Sequence, residues 1–499
     1  VTQLRTGVWA QEAPPPPPAM QSFTAEELVA RNKAATNPDR KPDNESETFA
    51  IRVAGLEGSL QTLRRGADMV SVTTLGPFRT AHGVSRGQRW HQNENGETIL
   101  DRPEPSQVEK PTTQSVIRVR APVDSWMLET SFASGHTTRI YYDPRTFYLV
   151  RSERTIAGRT THTVFEDFRT DAHGRTRAWH YFGGDERPDT EYDYRLIRDD
   201  LTSPIADSEV AVPRDRRALV EFPAGVDAVR LPARIENDRV YVRLQIGGRG
   251  LDFLLDTGAA NLTIDEGAAS RLGLTPYGRT TQTVAGSFAS GRVVVPEITL
   301  GDLTMHDVVM RTAPYASQEA HDTRVVGLLG FDFLDAVGLK IDYANGTVDA
   351  LRPGTMQAPP AATALDVRLN SGTPVTHAEI GDAAGDDFII DTGAAFSFVL
   401  FQRFARSHPE LIRPEREGRV QIANGVGGTM SYRDALARKV TLGPLALPDV
   451  GGYEALSPDA LGFDNEDGLI GADILKQFTV YLDYATSRVY LAPSVRTQR

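Results

Sequence analysis

One eight-residue pattern occurs twice and constrains what the rest of this chain can fold into. Phe253-Leu254-Leu255-Asp256-Thr257-Gly258-Ala259-Ala260 is the first copy, and Phe388-Ile389-Ile390-Asp391-Thr392-Gly393-Ala394-Ala395 is the second. Each is an apolar run that stops at an aspartate and turns through Thr-Gly. The run reads as a buried strand and Asp-Thr-Gly as the turn at its end. One such turn says little, since Asp and Gly are ordinary turn residues. Two copies with the same lead-in and the same exit point to a duplicated unit.

More of the surroundings repeats. Gly330 of Leu328-Leu329-Gly330-Phe331-Asp332 follows Asp256 by 74 positions, and Gly471 of Leu469-Ile470-Gly471-Ala472-Asp473 follows Asp391 by 80. Each element then runs into a matching hairpin: Leu339-Lys340-Ile341-Asp342-Tyr343-Ala344-Asn345-Gly346 and Val480-Tyr481-Leu482-Asp483-Tyr484-Ala485. Asn345-Gly346 between apolar alternations is a strong hairpin signal. The aspartates lie 135 positions apart. That period is too long for a solenoid and suits two small globular lobes.

An aspartate ending a buried strand is costly to leave alone. Two side by side cannot both ionise easily, so one proton is shared and the pair titrates as a unit. One carboxylate can then act as general base toward water and the other as general acid. Gly258 and Gly393 permit tight turns whose N–H groups reach the carboxylates. The hydroxyls of Thr257 and Thr392 are suited to tie the two turns together.

On these residues the two units resemble retropepsin-like aspartic peptidases, in which Asp-Thr-Gly-Ala carries the catalytic aspartate and an apolar-apolar-Gly element supports it. The resemblance covers about residues 219 to 495. It implies Asp256 and Asp391 as the catalytic pair, one from each lobe. Leu328, Leu329 and Gly330, and Leu469, Ile470 and Gly471, are the implied structural elements. Between aspartate and glycine the family has a flap. Its candidates are the hairpin around Ala285, Gly286 and Ser287 and that around Gly425, Val426 and Gly427, each also readable as an ordinary hairpin turn. The resemblance further implies a polypeptide substrate bound extended, no metal or cofactor, and bacterial export to the periplasm or outside. The sequence departs from the family pattern just after the turn, where Asn261 and Phe396 follow Ala-Ala and a Ser or polar residue is common. Phe396 either narrows the cleft or packs in the lobe.

The N-terminal part reads differently. Residues 1–22 hold the run Pro14 to Pro18, an extended, semi-rigid tail. Thr24 and Glu27 make a capping box for a helix. Residues from about 48 to 212 alternate with period 2, which predicts an antiparallel sheet with one wet face. Leu75-Gly76-Pro77-Phe78, Gln88-Arg89-Trp90-His91-Gln92-Asn93 and Tyr142-Asp143-Pro144-Arg145-Thr146 resemble the half-barrel domain of bacterial outer-membrane lipoprotein carriers. That resemblance implies a curved sheet with an apolar concave face and a lipid or lipoprotein ligand. The alternative is a scaffold domain without a ligand. Trp90, Trp126 and Trp179 read as core. The charged stretch Pro213 to Arg217 reads as a linker, Pro353 to Ala362 as a second one, and Asp464-Asn465-Glu466-Asp467-Gly468 as a solvated acidic turn.

The predicted architecture is therefore mainly β. It has a tail at 1–22, an antiparallel half-barrel with a helix at 23–215, and two retropepsin-like β-barrel lobes in tandem at 219–355 and 362–496. The 499 residues fit about three domains. A net charge of −12 argues against nucleic acid as the main partner. With no cysteine there is no disulfide framework and no thiol nucleophile. The sequence has no apolar run long enough to span a bilayer. It starts at Val1, which fits a mature form after signal-peptide removal or a trimmed sequence. The function expected is aspartic endopeptidase. The alternative is a lipid, lipoprotein or peptide carrier whose peptidase lobes are inactive.

Overall fold

Alternation between Asn44 and Asp200 builds one continuous antiparallel sheet. The computed structural model describes residues 22–100, 110–132, 135–156, 159–185, 187, 190–283, 287–315, 325–370, 372–411, 420–425, 428–436, 439–448, 450–456 and 466–495. Among them the N-terminal sheet has thirteen strands. Its order runs from Thr98–Leu100 back through successive hairpins to Asn44–Val53, crosses to Tyr192–Asp200, and steps back again to Pro111–Val119. The proline run at 14–18 lies outside the described residues. The helix Ala25–Thr36 begins at the expected capping box: Glu27 N donates to Thr24 Oγ1 at 3.1 Å, and Thr24 N donates to Glu27 Oε2 at 2.8 Å. It buries Leu28 against Leu128 and Tyr142.

The helix-covered face corrects one expectation, because only part of it is apolar. Pairing registers put Phe49, Ile51, Leu60, Tyr181 and Tyr194 on that face. Glu45 and Glu47 precede Phe49 with the same parity and are also buried. Glu45, Glu47 and Asp199 converge, and Arg177 reaches all three. Arg175 pairs with Glu45 and with Asp171. Buried carboxylates persist only when paired, and guanidinium groups supply the partners here. Trp90 is core on the opposite face, packed with Val70, Ala81, Ile205 and Val210. Trp126 and Trp179 are half-buried.

Each repeat unit folds into its own sheet. In the first, eight strands from Ala233–Glu236 to Val325–Leu329 make one sheet, and an added pairing of Ile246 with Ile298 curls it into a barrel. In the second, ten strands do the same, with Ile380 paired to Val440. The expected acidic turn is different: Glu466 and Asp467 are buried. Asp467 accepts from Asp387 N at 3.2 Å and from Arg403 Nη2 at 2.8 Å. Asp464 and Asn465 lie outside the described residues.

The repeated hairpins do not stay within their units. Gly338–Asp342 pairs antiparallel with Phe478–Asp483, matching Ile341 with Val480. The result is a six-stranded sheet, three strands from each unit, closed at its edges by Ala228–Arg230 and Thr363–Asp366. The stretch Pro213 to Arg217 is a clasp more than a linker. Arg216 Nη2 donates to the carbonyls of Arg79, Asn93 and Glu94 at 2.9 to 3.0 Å. Arg217 donates to those of Asn95, His306 and Asp307. A guanidinium carries five donors and suits such carbonyl clusters.

Candidate active site

The two strands that lead to the aspartates, Arg249–Leu255 and Ala383–Asp391, bury their last apolar residues, Phe253 to Leu255 and Phe388 to Ile390. Each runs parallel to the apolar-apolar-Gly strand of its unit. Leu254 and Leu255 pair with Leu328 and Leu329, and Ile389 and Ile390 pair with Leu469 and Ile470. The glycines that end those strands permit close backbone passage. A Cβ on Gly330 would lie 2.5 Å from the Ala259 carbonyl oxygen, and one on Gly471 would lie 2.1 Å from that of Phe396. Ala259 O then accepts from Phe331 N at 2.9 Å, and Ala394 O accepts from Ala472 N at 2.8 Å. So the turn after each aspartate is held from beneath.

The shared sheet brings the two turns face to face. Thr257 Oγ1 donates to Ile390 O at 2.5 Å and accepts from Thr392 N at 2.9 Å. Thr392 Oγ1 donates to Leu255 O at 2.9 Å and accepts from Thr257 N at 3.2 Å. Both threonines are fully buried. Four hydrogen bonds thus cross between the units, with each hydroxyl both giving and receiving.

Asp256 and Asp391 are half-buried at the top of this cross-tie. Gly258 N donates to Asp256 Oδ1 at 2.8 Å. Gly393 N and Ala394 N donate to Asp391 Oδ1 at 2.8 and 3.1 Å. The two carboxyls face one another, each lying against the glycine of the opposite turn. Gly258 and Gly393 were expected for tight turns. Their decisive property is the room they leave: a Cβ on Gly258 would lie 2.8 Å from Asp391 Cγ, and one on Gly393 would lie 2.6 Å from Asp256 Cγ.

Electrostatics follow from this contact. Burial, and then the charge of Asp391, push Asp256 well above the usual carboxylate range. Burial also raises Asp391, against the turn N–H groups and the hydrogen bond from Asp256, which lower it. Such a pair holds one proton between two carboxyls over a wide pH range.

Two residues of the repeated motif were quoted in the sequence but given no role. Asp332 Oδ2 accepts from Leu262 N at 2.9 Å, and Asp473 accepts from Ser397 Oγ. Each fixes the segment that leaves the Asp-Thr-Gly turn. The signal was present, since both stand two positions after the supporting glycine. Phe396 packs in the second unit, its ring 5.0 Å from those of Tyr432 and Tyr453. Of the flap candidates, Ser287 and Gly425 are described, and each lies on a paired strand. Thr283 pairs with Ser287, and Gly425 with Gly428. Ala285, Gly286, Val426 and Gly427 lie outside the described residues.

Comparison with known proteins adds to this geometry. Residues 242–333 match the family of aspartyl proteases. That stretch, with Asp256 and Leu328-Leu329-Gly330, is an aspartyl protease-like segment. No curated protein matches the chain. Among solved structures it is similar to basic 7S globulin from soybean, at 14% identity and a TM-score of 0.34, over 55% of this chain and 98% of that one. It is also similar to a LolA superfamily protein from Nitrosomonas europaea, at 14% identity and a TM-score of 0.27, over 38% of this chain and 98% of that one. At those scores neither bears on the fold, which the strand order defines by itself. Among the described residues no helix is long and apolar enough to cross a membrane.

Proposed function

We propose that this chain is an aspartic endopeptidase whose catalytic dyad is Asp256 with Asp391. The observation that carries the reading is the pair of carboxyls brought face to face on turns cross-tied by Thr257 and Thr392. One carboxyl of the pair carries the shared proton and the other is the base. The ionised carboxyl takes a proton from water as the water oxygen attacks the scissile carbonyl carbon. The protonated carboxyl gives its proton to the carbonyl oxygen. The tetrahedral diol then collapses: the carboxyl that took the water proton passes it to the leaving nitrogen as the C–N bond breaks, and a diol hydroxyl returns a proton to the other carboxyl. The substrate is an extended polypeptide, and the proposed location, periplasmic or extracellular, rests on resemblance alone. A lipid or lipoprotein ligand on the N-terminal sheet would have to use the aromatic half of the helix-covered face, since ion pairs fill the other half.

Cleavage of a peptide library across acidic to neutral pH tests the reading. Asp256→Asn and Asp391→Asn should each lower turnover by at least about a thousandfold, the scale of losing an essential acid or base, while circular dichroism stays native. The rate should follow a bell, with activity lost when both carboxyls are protonated and again when both are ionised. Because both are raised, the alkaline limb should lie above the ordinary carboxylate range, with the optimum on the acidic side. Near-normal turnover in either variant removes that aspartate from the mechanism.

A further inference from the structure

The sheet face that carries Asp256 continues away from it along the same strand. Alternation puts Leu254, Asp252 and Gly250 on the side of Asp256. Across the ladder Tyr241 stands opposite Leu254, and Arg243 opposite Asp252. On the edge strand Arg234 stands opposite Tyr241. Leu254 and Tyr241 are buried, and beyond them the face opens into a cavity of about 450 Å³ whose walls include Arg234, Tyr241, Arg243, Gly250 and Asp252.

Among its lining residues two guanidinium groups, Arg234 and Arg243, face one carboxylate, Asp252, in a chain whose net charge is −12, and Glu236 beside the cavity pairs with Arg234. Asp252 lies between them, 3.5 Å from Arg234 and 3.7 Å from Arg243. Arg234 is further engaged by Glu236 and by the ring of Tyr241, 4.1 Å from its centroid. Arg243 is held more loosely. Its side chain is 57% exposed, it donates to Gly250 O at 3.3 Å, and Asp252 stays beyond direct hydrogen-bond reach. An anionic group entering the cavity would meet this guanidinium in a charge-assisted bond.

Four residues of extended strand separate Asp252 from Asp256, about 13 Å. A substrate laid extended along this face rises by a similar step per residue. Its side chain about four positions from the scissile bond would reach the cavity. We infer that this cavity is a remote substrate subsite for an acidic side chain, Asp or Glu, gripped by Arg243. The inference rests on the peptidase reading, and on the shared face of Asp256, Asp252 and Arg243.

Two measurements on the full chain test it. The first compares library cleavage by the wild type and Arg243→Glu. A partly exposed ion pair is worth up to about 1 kcal/mol, or about fivefold. Peptides with Asp or Glu three to five residues from the cleaved bond should therefore be favoured over Ala by about that factor. Arg243→Glu should reverse the preference toward Lys and Arg. A flat wild-type profile at those positions, or an acidic preference that survives the reversal, overturns the subsite. The second measurement needs no cleavage. Dye-labelled octapeptides with Glu, Ala or Lys scanned along the sequence are bound to Asp256→Asn and followed by anisotropy. Tighter binding of the Glu peptide at one position, lost in Asp256→Asn with Arg243→Glu, upholds the subsite even where no peptide is cut. Equal binding of all three at every position overturns it even with the dyad chemistry intact.

Discussion

Replacing Thr257 by Val keeps the shape of the side chain and deletes its hydroxyl. That hydroxyl donates to Ile390 O and accepts from Thr392 N, both across the boundary between the units. Val would leave a buried carbonyl and a buried N–H without partners, at about 1–3 kcal/mol each. Thr257→Val should therefore lower stability by about 2–6 kcal/mol and reduce turnover, while Thr257→Ser keeps both close to wild type. Denaturant unfolding and steady-state rates on the same samples check this, and equal behaviour of Val and Ser would remove the hydroxyl from the account. At this scale much was legible. A repeated Asp-Thr-Gly names its own aspartates, and a paired threonine suggests a tie. The reason for the glycines was not legible, because what excludes a side chain is a carboxylate 133 positions on from Gly258 and 137 back from Gly393.

The elements that carry these residues were readable as single strands and turns, since alternation and turn chemistry are local. Their partners were less so. Leu339 to Gly346 and Val480 to Ala485 looked like two copies of one hairpin, and they are also neighbours in one sheet. Nothing local encodes that pairing, which depends on two edges brought together by the folding of both units. The same holds for Asp332 and Asp473, whose acceptor role appears only when the chain after each turn passes overhead. The shared sheet also brings Asp256 and Asp391 together within one chain. Lys476 Nζ bonds Asp238 at 2.8 Å and Asn345 Nδ2 bonds Val495 O at 2.9 Å, so side chains reinforce the backbone ladder between the units. The tether from Pro353 to Ala362 keeps their encounter intramolecular, at an effective concentration of about millimolar.

At the scale of the molecule, the N-terminal sheet is seated on the first unit in a way the sequence did not suggest. A domain with its own helix and strands reads as separable, and residues 219 to 499 would be expected to fold alone. In the structure Asn93 Nδ2 donates to Asp332 Oδ1 at 3.0 Å, and Glu94 pairs with Arg292 and Arg311 at 2.8 and 3.2 Å. Asn95 exchanges hydrogen bonds with the backbone of Val309. The N-terminal loop thus touches Asp332, which in turn holds the chain leaving Asp256. The seam also collects acids. Burial, then Asp332 and Asp335, push Glu97 well above its usual range. Burial, then the charges of Asp215 and Asp332, raise Asp335 to about 6 from 3.8. The sign follows from linkage. Between those two values the folded chain keeps a proton that the unfolded chain has lost, so stability falls as pH rises through the window. A shift of that size corresponds to at most about 3 kcal/mol, less where water screens the group. The dyad contributes a slope of the same sign, so the informative quantity is a difference between variants. Asp335→Asn should flatten the fall in stability between about pH 4 and 6 relative to the wild type, and Glu97→Gln should extend the flattening to higher pH. Chemical denaturation at a series of pH values reads both. Parallel curves for wild type and Asp335→Asn would mean that this carboxyl is not desolvated at the seam, and that the N-terminal sheet sits less tightly on the first unit than these contacts require.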